Sequence, residues 1–192
     1  MRSAEAVRNT KETQIAIALN LDGQGNGDIQ TPIGFLNHML ELFAFHSGMD
    51  LYIKADGDVD VDDHHLVEDT GILLGTLVAQ ALGDKRGIRR YGNCRLPMDE
   101  SLAQIDLDFS GRPYLVFEGE FHREAIKDFS TEMVEEFLRA FAFNSKLTLH
   151  VRFSGKNDHH QIEAIFKGLA RAVKEAVRIE SDRLPSTKGV LE

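Results

Sequence analysis

Two stretches of the chain hold the residues best suited to chemistry, His64-His65-x-x-Glu68 and His159-His160-x-x-Glu163, and they share one spacing. On a helix, residues three and four apart lie on one face, so each glutamate can meet either imidazole of its pair. Neutral imidazole nitrogen with carboxylate oxygen suits a divalent transition metal such as Mn, Fe, Zn or Ni. A single copy reads equally well as a solvated helix start. Two copies, holding four of the eight histidines, point to metal, because clustered histidines are ligands by preference.

The elements that must position these motifs are also written twice. Phe35 to Ser47 overlays Met133 to Ser145, and both segments carry Phe-Ala-Phe-x-Ser; Met49 to Lys54 overlays Leu147 to Arg152. Upstream, Lys11-Glu12-Thr13 matches Asp99-Glu100-Ser101. Order and spacing agree over four blocks, which marks two copies of one supersecondary unit. Ile15, Ile17, Leu19 and Leu21 alternate, as do Ala103, Ile105, Leu107 and Phe109, the period of half-buried strands. Phe35, Leu36, Met39, Leu40 and Phe43, and their counterparts Met133, Val134, Phe137, Leu138 and Phe141, recur at helical spacing. A short strand and a second helix follow. These second helices open at Asp62-Asp63 and Asn157-Asp158, good capping types, and run to about Leu82 and Ile179. We expect an α+β fold built from a duplicated strand-strand-helix-strand-helix unit, with two four-stranded sheets and the helices packed between them. Residues 1–90 and 91–192 are the expected halves of one compact unit.

The repeat extends the ligand set. His38 alone reads as a partly buried histidine, but its repeat mate is Glu136, another ligand type, so both join the expected metal residues. His46, His122 and His150 have weaker claims as ligands, and His46 is kept as a substrate contact. Glu12 and Glu100 occupy equivalent positions before a strand, where a carboxylate near a metal could transfer protons; a plain surface glutamate is the alternative. Gly83 to Gly92 packs four basic residues and three glycines into ten positions, either an anion cradle or a solvated loop. Arg112, Lys167 and the Pro185 to Gly189 stretch would add phosphate donors if they converge.

Composition narrows the partners. The formal charge of −9 disfavours nucleic acid, which is held through clustered Lys and Arg. Cys94 is the only cysteine, so neither an intramolecular disulfide nor a Cys-rich zinc site can form. No apolar run approaches a bilayer span, and residues 1–10 lack an apolar leader core. We expect a cytoplasmic protein with a small-molecule partner.

From Arg8 to Leu191 the chain resembles the imidazoleglycerol-phosphate dehydratases. The stretches that carry the resemblance are Phe35 to Leu40, Asp63 to Asp69, Arg90-Tyr91-Gly92, Pro97 to Glu100, Ser110 to Tyr114, His159 to Ala164 and Ser186 to Gly189. The resemblance implies a lyase that dehydrates imidazole glycerol phosphate to imidazole acetol phosphate in histidine biosynthesis. It further implies two Mn2+ per active site binding the substrate imidazolate, and a 24-subunit shell with sites between subunits. Carried over, the metal ligands are His38, His64, His65, Glu68, His159, His160 and Glu163, with Glu136 as an eighth. Glu12 is the implied acid/base, and Arg90, Arg112, Lys167, Ser186 and Lys188 hold the substrate, mostly by its phosphate. The chain departs from the family pattern at Asn37, where that pattern has Asp, and at Glu136, where it often has His. The residues alone also admit a dinuclear phosphoesterase or a metal-buffering cage.

Overall fold

The computed structural model describes residues 2–191. In the first half, β1 (Ser3–Asn9), β2 (Thr13–Asn20), β3 (Gly27–Gln30) and β4 (Asp50–Gly57) surround α1 (Gly34–Ser47), and α2 (His64–Leu82) closes the unit. The second half repeats this with β5 (Tyr91–Met98), β6 (Ser101–Asp108), β7 (Tyr114–Glu118), α3 (Met133–Asn144), β10 (Thr148–Ser154) and α4 (Asp158–Val177). Between β7 and α3 it adds a small hairpin, β8 (Ala125–Ile126) with β9 (Phe129–Ser130). The sheets run β1-β2-β4-β3 and β5-β6-β10-β7. Among the described residues no helix is long and apolar enough to cross a membrane.

Each half therefore places three strands of its four-stranded sheet, not two, before its first helix. The third is parallel to the strand after that helix and completes the four-stranded sheet. β3 hides in the sequence because Gly27-Asp28-Ile29-Gln30 offers one apolar residue, too few to show a period of two. A parallel partner must also arrive through a helical crossover, so nothing local announces it.

The helices form the middle layer. α2 packs on α3 and α1 on α4, so each seam joins the two halves. Repeat-equivalent Phe43 and Phe141 meet edge to face at 6.1 Å in its centre, both fully buried. Burying each such ring stabilises by about 2–3 kcal/mol. At the α2–α3 seam Gly71 and Gly75 let the backbones touch: a Cβ there would stand 2.9 Å from the Phe137 carbonyl oxygen and 2.5 Å from that of Phe141.

The two expected caps differ. Asn157 accepts from the amides of His159 (3.0 Å) and His160 (3.4 Å) and caps α4. Asp63 makes no capping bond; its carboxylate accepts from the Ser130 amide and hydroxyl on β9, while Asp62 takes the His64 amide. The added hairpin competes for the capping side chain of α2.

Candidate metal centre

Because α1 lies on α4, the outward side of His38 faces the first turn of α4. His38 Nε2 is 3.1 Å and His159 Nε2 2.9 Å from the same oxygen, Glu163 Oε1. These three are the one group of at least three ligand types that converges among the described residues, with ligand atoms all within 4.8 Å of one another. Phe35 stands edge-on to the His159 ring at 5.1 Å and is itself backed by Phe129 of the hairpin. Lys167 Nζ donates to Glu163 Oε2. Burial pushes the Glu163 carboxyl up, yet the hydrogen bonds from Lys167, His38 and His159 outweigh it and hold the group down at about 2. An ionised carboxylate with two imidazole nitrogens aimed at one point fits a divalent ion.

The second histidine of each pair is steered by a carboxylate. His65 Nδ1 is 3.0 Å from Asp58 Oδ2 and 4.0 Å from Glu12; His160 Nδ1 is 2.9 Å from Glu100 and 3.9 Å from Asp99. Anchoring Nδ1 in this way fixes the tautomer and leaves Nε2 free to ligate. The same contacts raise both imidazoles above the usual histidine range, chiefly through Asp58 for His65 and Glu100 for His160.

Repeat mates Glu12 and Glu100 have diverged. Glu100 is held by His160 and by the amides of Asn157 (2.8 Å) and Lys156 (3.1 Å), with Ser101 Oγ at 2.9 Å, and lies far below the carboxylate range. Glu12 sits at a turn pinned by Thr10, whose hydroxyl accepts the Glu12 and Thr13 amides. Its carboxylate is half exposed and, among the described residues, its one charged contact is the 4.0 Å approach to His65.

Other expected residues stand apart. His64 and Glu68 form a looser i,i+4 pair at 3.7 Å, both facing solvent. Glu136 lies 3.8 Å from Arg139, outside the converging group. His46 is lowered by burial and by the charges of Lys167 and Arg171. Asn37 ties the β3–α1 turn instead, exchanging bonds with the backbone of Thr31.

A recess of about 440 Å³ collects Arg90, Ser110, Arg112, Ser186, Thr187 and Lys188, so the phosphate donors expected from sequence converge, except Lys167. Lys167 reaches Met98 Sδ at 3.5 Å, at the far end of β5. Arg90 precedes the first residue of that eight-residue strand, which at about 3.3 Å per residue spans roughly 23 Å. Arg90 is already engaged, with Asp108 (2.6 and 3.0 Å) and the Pro185 carbonyl (2.9 Å).

The family model described as imidazoleglycerol-phosphate dehydratase matches residues 31–173. The chain belongs to that family. Imidazoleglycerol-phosphate dehydratases of Clostridium botulinum and an Exiguobacterium are 57% and 55% identical to it; the first match covers 99% of this chain and 98% of the relative, the second all of both. The crystal structure of imidazoleglycerol-phosphate dehydratase from Staphylococcus aureus superposes with a TM-score of 0.85 at 45% identity, covering 93% of this chain and 99% of that one. The family comprises metal-dependent hydro-lyases of histidine biosynthesis that act on a small phosphate substrate.

Several supporting residues escaped the sequence reading. Asp58 steers His65. Fully buried Asp158 takes the amides of His122 and Arg123, and Asp128 takes that of Gly34. Asp58 and Asp158 lie close in sequence to the His-His pairs, which is their one local signal, and Asp158 is legible only as a capping type; Asp128, 94 residues from the Gly34 amide it accepts, has none.

Proposed function

We propose that the chain dehydrates imidazole glycerol phosphate to imidazole acetol phosphate, with two Mn2+ per active site and sites completed between subunits of a 24-subunit shell, in the cytoplasm. The observation that carries this reading is the convergence of His38, His159 and Glu163 in a member of this family. His64, His65, Glu68 and His160 present further nitrogen and oxygen ligands, and Glu136, beside Arg139, is kept as an eighth. A bound divalent ion supplies Lewis acidity toward the substrate's ring nitrogens. Asp58 and Glu100 keep His65 and His160 oriented. Glu12, whose carboxylate has no hydrogen bond among the described residues, takes the carbon-bound proton as the hydroxyl next to the ring leaves and departs as water, and the resulting enol tautomerises to the ketone. Arg112, Ser186 and Lys188 hold the phosphate, with Arg90 beside them and Lys167 and His46 nearer the ring.

The separation within one chain supports a shared site. A five-membered ring on a three-carbon chain cannot reach from the His38 group to the Arg90 recess across the length of β5, so the recess of one chain would serve the metal residues of another. Product analysis tests the reaction: metal-loaded protein should yield a keto product with phosphate retained, and chelator should abolish it. Release of inorganic phosphate would favour a phosphoesterase. Glu12→Gln should bind metal and substrate yet lose about 10²- to 10⁴-fold in kcat; turnover at the normal rate would remove Glu12 from the mechanism.

A further inference from the structure

Lys85 is out of place on stability grounds. It is 5% exposed, and its Nζ has no hydrogen-bond partner among the described residues. Its backbone is left-handed, with φ of +62°, a conformation costly for a side-chain-bearing residue. A buried ammonium without a partner costs several kcal/mol, whereas a methionine of similar length would pack there freely. Burial pushes the ammonium below the usual lysine range, Lys146 adds to the effect, Asp108 opposes it and Arg90 reinforces it. Arg90, five residues along the same loop, lines the anion recess, and Asp108 clamps it there.

The surroundings are built. The Lys85 loop is laced to the C-terminal segment: the Gly87 amide donates to the Arg183 carbonyl (2.8 Å), the Arg89 amide to that of Arg178 (2.8 Å), and Gly87 accepts from Glu180 (2.8 Å). That segment continues into Ser186 to Lys188, one wall of the recess. Arg90, which should meet an entering phosphate, is clamped on Asp108 by two bonds. Pulling it toward a phosphate would leave Asp108 short of a partner.

We infer that Lys85 is a positioning residue for phosphate: it takes over the Asp108 carboxylate when an entering phosphate draws Arg90 away, and so sets how tightly the recess holds that group. This rests on reading the recess as the phosphate seat. The test uses metal-replete enzyme with inorganic phosphate as competitor. Lys85→Met and Lys85→Gln should raise the phosphate inhibition constant and the substrate KM about tenfold, the scale of one nearby charge in a partly buried site, with kcat moving far less. Lys85→Met should also melt higher than the parent, because an unpartnered buried charge is removed, and Lys85→Arg should restore phosphate affinity. A Lys85→Met protein that melts lower, or both neutral variants with unchanged phosphate inhibition, would overturn the role. Arg112→Met separates the two readings: if it too leaves phosphate inhibition unchanged, the recess is not the phosphate seat; if it weakens phosphate while the Lys85 variants do not, only Lys85 is wrong.

Discussion

At the scale of single residues, the site is a set of imidazoles each held by a carboxylate. Glu100→Gln isolates that support. It should lower metal affinity about 10- to 100-fold, the usual effect of losing a partner behind a ligand. The pH dependence follows from the raised His160. A proton competes with metal for the imidazole, so loading improves as pH rises through the raised range. Without Glu100 that competition ends at lower pH, and the midpoint of the His160 contribution should shift down; metal titrations across pH 5.5 to 8.5, about the histidine range, read both effects. An unchanged affinity would make the His160–Glu100 contact incidental. The His-His-x-x-Glu motifs were legible because helical spacing and repetition are local properties. Asp58, Glu100 as an orienting group and Lys85 were not, since each matters through a neighbour brought close only by sheet or loop closure.

At the scale of elements, Gly71 and Gly75 give the α2–α3 seam a sharp test. On propensity alone Gly→Ala inside a helix stabilises by about 1 kcal/mol. Here the new methyl meets a carbonyl oxygen at 2.9 or 2.5 Å, and overpacking typically costs about 1–3 kcal/mol. Gly75→Ala, the tighter site, should therefore lower the melting temperature, and Gly71→Ala should be milder; a higher melting temperature for Gly75→Ala would mean the seam is looser than described. Helices were readable from their apolar period, as were β2 and β6, while the edge strands β1 and β5 showed no apolar alternation as long. β3 and the β8–β9 hairpin were not, because four and two residues carry too little pattern, and the hairpin has no counterpart in the first half to expose it.

At the scale of the molecule, residues 1–90 and 91–192 make one middle layer between them. We expect neither piece to melt cooperatively when made alone, since each would leave its helices uncovered, while the two co-expressed should reassemble into a soluble, cooperatively melting species, as scanning calorimetry would show. A cooperative melt from either piece alone would contradict this. The alternating layers were anticipated from the doubled pattern, because two amphipathic helices on one face of a small sheet need a second such face to cover them. The seams also set what the link between the halves does. Since α1 meets α4 and α2 meets α3, always across the repeat, the two halves as separate molecules would fold only on meeting, and their folded fraction would depend on concentration. Residues 83–90 join the halves and make that meeting intramolecular, which raises the effective concentration of each half for the other.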